Sequence, residues 1–110
     1  MNDPSYSRLP AFNAESIDRL IHEPARLSIM AVLYVVEGAD FLFLEGQTGL
    51  TKGNLSSHLS KLESAGYIEI TKEFVERIPH TLIGLTPSGR EAFAGYLREM
   101  KSALGRFESL

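Results

Sequence analysis

The residues best suited to chemistry crowd into one stretch: Thr51, Lys52, Gly53, Asn54, Ser56, Ser57, His58, Ser60 and Lys61. Lys52 and Lys61 are flexible point charges, which hold a phosphate without specifying its neighbours. The amide, hydroxyl and imidazole groups between them both donate and accept, as contacts to base edges or nearby phosphates require. Gly53 would let the backbone come close. Downstream, Lys72, Arg77, His80 and Thr81 add cations and polar groups, Arg77 being suited to a minor groove or a phosphate backbone. Other chemistries are poorly served. Ser56 and Ser57 beside His58 make no catalytic set, because neighbours on a helix diverge and no orienting acid is evident. His22, His58 and His80 are too scattered to predict a metal site, and neither usual phosphate-binding glycine loop is present. We expect no enzymatic activity, no metal and no cofactor.

The composition sets the frame. A chain of 110 residues with 44% hydrophobic and 23% charged residues predicts one globular domain with a real core. The absence of cysteine excludes disulfides and thiolate metal sites. No membrane-spanning run and no signal peptide is evident at Met1–Ser5, so a cytoplasmic location is expected. The net charge of −3 runs against binding a polyanion, yet between Thr51 and Thr81 four cations (Lys52, Lys61, Lys72, Arg77) balance four acids (Glu63, Glu69, Glu73, Glu76). The acidic excess lies elsewhere. Modest affinity per subunit and a need for dimerisation follow.

The polar stretch must be held by a helix. Begun after Thr51, such a helix sets Leu55, Leu59 and Leu62 on one stripe and the polar residues opposite. Thr48 to Thr51 suits the tight turn before the second helix of a helix-turn-helix, and Gly66 closes that helix. Ahead of it, Asp40 caps a short helix through Phe41–Gln47 that ends at Gly49, with a strand as the competing reading of Phe41–Leu44. A core helix is predicted over Pro24–Val36, apolar over most of its circumference and ended by Gly38. A short helix from Asn13 or Ala14 would use Ile17, Leu20 and Ile21 as its apolar side. Residues 1–13, with Pro4 and Pro10, read as a loosely docked arm.

Behind Gly66 the period becomes two. Ile68, Ile70 and Phe74 alternate with Glu69, Thr71 and Glu73 as a half-buried strand, followed by a loop at 75–80 and a strand at 81–85. Phe41, Phe43, Tyr67, Phe74, Phe93 and Tyr96 are expected in the core. Thr86 and Pro87 open the last helix, where Phe93, Leu97, Met100, Leu104 and Phe107 follow a 4-3-4-3 spacing widened by Tyr96 and Ala103. That seam either folds back on its own domain or, the reading favoured here, meets the same helix of a second subunit.

Four segments carry a family resemblance: residues 22–30, residues 51–63, Ala65-Gly66-Tyr67-Ile68, and Leu85-Thr86-Pro87-Ser88-Gly89-Arg90. In this order they make the chain resemble winged-helix transcriptional regulators of the multiple-antibiotic-resistance (MarR) and arsenic-repressor (ArsR) type. The resemblance implies an α+β, mainly α, winged helix-turn-helix over 14–86 with a two-stranded hairpin wing. It also implies a C-terminal dimerisation helix over 87–110 and a homodimer on a pseudo-palindromic double-stranded DNA operator. Glu76, ahead of Arg77-Ile78-Pro79-His80-Thr81, departs from the small or basic wing tip typical of the small bacterial and archaeal winged-helix proteins that the chain most resembles, and would repel phosphate. A small-molecule effector near the dimer interface fits the same picture. Two other functions fit the residues, a protein-interaction module and a small-molecule sensor with secondary DNA contact.

Overall fold

The computed structural model describes residues 13–108. The expected arm therefore lies outside the described residues except for Asn13. A 3₁₀ turn at Ala14–Ser16 leads to helices α1 (Pro24–Val35), α2 (Phe41–Thr48) and α3 (Lys52–Ser64), a hairpin of β1 (Ile68–Val75) and β2 (Ile78–Leu85), and the long helix α4 (Pro87–Glu108). This is a winged helix, mainly α, with a two-stranded antiparallel wing.

Local chemistry accounts for the helix limits. Glu23 caps α1 by accepting from the amides of Ala25 and Arg26 at 3.2 and 2.9 Å, with Pro24 at its first position. Asp40 caps α2 through the Phe43 amide at 2.7 Å, and Gly49, at φ 72°, closes it in the left-handed region. Thr51 caps α3 through the Asn54 amide, and Gly66 (φ 79°) turns the chain into the hairpin. The core forms where these elements meet: Ile21, Ile29, Met30, Leu33, Leu44, Leu55, Leu62, Ile68 and Ile83 are fully shielded, with Phe93 and Tyr96 of α4 packed on them.

Four expectations need correction. The first helix is only a 3₁₀ turn, because Asn13 accepts from the Glu15 amide and Asp18 from those of Leu20 and Ile21. Short polar side chains offer the backbone an alternative to helical bonding there. Gly38 is not a left-handed helix end, since α1 stops at Val35 and only Gly49 and Gly66 have positive φ among the described glycines. A Cβ on Gly38 would lie 3.0 Å from the Leu82 side chain, so its role is clearance for the wing. The loop expected at 75–80 is a two-residue turn, Glu76-Arg77, with Val75 paired to Ile78 and Phe74 to Pro79. Finally, Phe74 is 75% exposed and Phe43 42%, so neither belongs to the core. An unforeseen bridge ties the wing to the α1–α2 connection: the Ala39 and Ile83 amides and carbonyls bond reciprocally at 2.9 and 2.8 Å.

Candidate nucleic-acid interface

Helix α3 has two unlike sides. Leu55, Leu59 and Leu62 anchor it in the core at 0, 3 and 0% exposure. Lys52, Gly53, Asn54, Ser56, Ser57, Ser60 and Lys61 stand exposed beside the capping Thr51. No acid occupies its first turn, so the unpaired amides there and the positive end of the helix dipole are uncovered. Nothing lies within 4 Å of a Cβ built on Gly53. A mid-turn glycine costs a helix about 1 kcal/mol relative to alanine, and here no internal contact demands it.

His58 differs from its neighbours. Its Nδ1 lies 3.2 Å from the Arg26 guanidinium and 3.7 Å from Glu23 Oε2, and its side chain is only 19% exposed. Arg26 in turn donates through Nε to the Leu20 carbonyl at 2.6 Å. With arginine donating, the imidazole edge facing α1 accepts, and the ring braces α3 against the start of α1. The Glu23 carboxyl is held below the usual glutamate range, chiefly by the Arg26 amide and further by the Ala25 amide and the Arg26 guanidinium. Arg26 escaped the sequence reading because its partner lies 32 residues away.

The wing sorts its residues by strand parity. Lys72, Phe74, Pro79 and Thr81 share one face with Ile70 and Ile83, while Glu73 and His80, directly opposed, share the other with Thr71 and Leu82. The first face borders α3: Ile70, Thr81 and Ile83 line one cleft with Ser56, Leu59, Ser60 and the acid Glu63. Lys72 and Thr81 thus lie on the wing face that borders α3, and Arg77 stands at the turn. His80 lies on the opposite face of the ribbon and lines a second cleft, beside the α1–α2 connection, with Gly38, Phe43, Glu73 and Thr81.

The expected seam on α4 is divided. Phe93, Tyr96 and Ala103 are buried within the subunit at 3, 8 and 8% exposure, whereas Leu97, Leu104 and Phe107 are 41, 52 and 46% exposed. Met100 lies between the two sets and packs at the edge of the core. Tyr96 also meets the His22 ring, its hydroxyl 2.8 Å from Nδ1. Phe93 and Tyr96 therefore serve the chain's own core, and the exposed part of the stripe is Leu97, Leu104 and Phe107 with Met100 beside them. Among the described residues no group of three or more His, Asp or Glu could hold a metal, and no helix is long and apolar enough to cross a membrane.

Comparisons with known proteins agree with this geometry. A family model for winged helix DNA-binding domains matches residues 25–104. An uncharacterized protein of Methanocaldococcus jannaschii is 37% identical over 82 residues, which is 74% of this chain and 89% of the relative. The solved transcriptional regulator homologue from Pyrococcus horikoshii superposes with a TM-score of 0.74 at 31% identity, covering 80% of this chain and 87% of that one. A MarR-family transcriptional regulator from Silicibacter pomeroyi shares the fold, with a TM-score of 0.59 at 22% identity over 83% of this chain and 58% of its own. The capped and glycine-closed α3, the hairpin beside it and the family match over 25–104 lead to one conclusion: the chain belongs to the winged-helix DNA-binding domain family.

Proposed function

We propose that the protein is a sequence-specific, non-enzymatic transcriptional regulator that binds a pseudo-palindromic operator as a homodimer. The observation that carries this reading is the exposed, acid-free outer face of α3, Lys52 to Lys61, with Lys72 and Thr81 on the wing face that borders it. In this mechanism α3 of each subunit enters a major groove. Lys52 and Lys61 hold phosphates, and Asn54, Ser56, Ser57 and Ser60 reach base edges or adjacent phosphates. His58 contributes by bracing α3, and any base contact it makes uses its other ring edge. Arg77 meets the flanking backbone or minor groove, while His80 stands on the other face of the wing from Lys72 and Thr81.

Dimerisation sets the spacing. Leu97, Leu104 and Phe107 form an exposed apolar stripe on a helix of 22 residues, and covering it with the same stripe of a second subunit would present two α3 helices to successive grooves. Half-site centres about one helical turn apart are then expected. A cleft of about 580 Å³ between Ser16–Asp18 and α4, lined by Tyr96, Glu99, Met100 and Arg106, adjoins this seam and could admit a polar effector.

A mobility-shift titration against genomic fragments at two salt concentrations tests the function. Preferential binding that weakens steeply with salt supports it. Binding no better than to random DNA at low salt would favour an interaction module. Sedimentation of Leu97→Asp tests the interface, a monomer being expected and an unchanged mass placing the contact elsewhere.

A further inference from the structure

We propose that the wing tip is an apolar wedge for the minor groove flanking each half-site, with Phe74 as the side chain that inserts at a base step. The inference rests on the DNA-binding reading and assigns to the wing a mode of recognition other than phosphate attraction. Phe74 is 75% exposed, with Val75 at 48% and Ile78 at 58%. These side chains stand at the end of a paired ladder, not on a loose loop. From the Ile70–Ile83 rung to the Val75–Ile78 rung the ribbon projects five residues, roughly 17 Å, beyond the core. Pro79 lies directly across from Phe74, so a ring of fixed φ backs the aromatic side chain.

Charge selects the occupant. On the face that carries Phe74, the neighbouring positions beyond the core are Lys72, Thr81 and Pro79, with no acid, and Arg77 stands at the turn. Glu73 points to the opposite face, where His80 opposes it. A face bound for a protein's apolar surface would gain nothing from a lysine set between Phe74 and the core. A face bound for a groove walled by phosphates would. Val75 and Ile78 flank the turn on the other side and exclude water once the tip is seated. Glu76 is the remaining acid, at the turn itself, where it keeps electrostatic attraction at the tip weak and leaves apolar insertion as the larger contribution. Minor-groove proteins use such wedges to unstack a step and kink the duplex, and pyrimidine–purine steps yield most readily.

The test uses full-length protein and sites selected from a random DNA pool, with 2-aminopurine placed at successive flanking steps. Wild type is expected to raise fluorescence at one flanking step per half-site. Phe74→Ala should abolish that rise and lower affinity roughly tenfold, as loss of base–aromatic stacking would. Its dependence on salt should be unchanged, since no counterion release is lost. Phe74→Leu, which keeps an apolar wedge, should retain part of the signal. Arg77→Ala should instead lower the salt slope by about 1. If wild type binds selected sites without a fluorescence change and Phe74→Ala binds equally well, the wedge is wrong and the exposed tip belongs to a protein partner. If wild type selects no sequence from the pool, the wedge falls together with the regulator reading.

Discussion

Gly89 approaches the backbone of Tyr67 so closely that a Cβ built on it would lie 1.9 Å from the Tyr67 carbonyl oxygen. The Thr86 hydroxyl donates to the Gly66 carbonyl at 2.6 Å and accepts from the Gly89 amide at 2.9 Å, while the Thr86 amide donates to the Tyr67 carbonyl. One junction thus locks the end of α3, the root of the wing and the start of α4. It also gives a physical reason why Ala65-Gly66-Tyr67 and Thr86-Pro87-Ser88-Gly89 occur in one chain: each segment supplies half of the contact. Gly89→Ala should lower stability by at least about 2 kcal/mol, because the obstructing atoms are backbone and cannot rotate away. Gly95→Ala, where an added Cβ meets only the end of Arg98 at 3.7 Å, should instead gain up to about 1 kcal/mol. Urea midpoints of the two variants read the contrast, and equal shifts would refute it.

The wing turn carries backbone strain. Glu76 and Arg77 have φ of 53° and 70°, the left-handed pair that a two-residue hairpin turn requires and that Asn-Gly ordinarily fills. Each costs on the order of 1 kcal/mol. The double variant Glu76→Asn, Arg77→Gly should therefore gain about 1 kcal/mol in thermal or urea unfolding. Arg77→Gly alone should bind DNA less tightly, whereas the double variant, which also removes the repulsive Glu76 carboxylate, should leave the net charge of the tip and the salt slope nearly unchanged. A variant with no gain in stability would mean that the turn relaxes at little cost.

Two side chains make stability depend on pH in opposite directions. Tyr67 donates its hydroxyl to Asp18 at 2.6 Å, and that bond, with burial and the nearby charge, pushes its pKa up to about 12. The fold favours the neutral phenol, so this contribution is full below the ordinary tyrosine range and is lost as pH rises through about 12. The Glu23 carboxyl is lowered instead, chiefly by the Arg26 amide. Its contribution is present above the ordinary glutamate range and is lost as pH falls through the depressed value. Spectrophotometric titration of the tyrosinates should show a late-ionising group that moves down towards the ordinary range in Asp18→Asn. In Glu23→Gln the acid limb of the stability curve should flatten. Tyr96, raised by burial alone, should stay late in both proteins, so two late groups persisting in Asp18→Asn would assign the Tyr67 shift to burial as well.

What could be read from sequence was what local chemistry decides. Asp40, Gly49, Thr51 and Gly66 mark the limits of α2 and α3 because caps and left-handed glycines act within a few residues. The outer face of α3 followed from the leucine period alone. The misread places depend on distant partners. Pro79, with acids nearby, looks like a loop residue until its pairing with Phe74 is known. Gly38 looks like a helix end until Leu82 is found against it, and Ala39 shows no sign of its bridge to Ile83. On α4 the apolar stripe spans about 120° at about 100° per residue. One edge, Tyr96 and Ala103, is buried in the subunit and the other, Leu97 and Leu104, faces out. Spacing alone merges those edges into one seam.

The proposed division of α3 into phosphate and base contacts can be tested directly. Asn54 and Ser57 are exposed on the polar side, and neither side chain caps the helix, a task that falls to Thr51. Asn54→Ala with Ser57→Ala should therefore leave stability within about 0.5 kcal/mol, as surface changes usually do. Each base contact removed should cost about 1–3 kcal/mol against the preferred site and little against random DNA, so discrimination collapses while residual binding stays. Lys61→Ala should weaken preferred and random sequences alike and reduce the salt slope by about 1. Competition titrations with selected and scrambled duplexes at several salt concentrations measure both quantities. Should both variants lose affinity uniformly, Asn54 and Ser57 are backbone contacts, and the bases are read by Ser56, Ser60 or the wing.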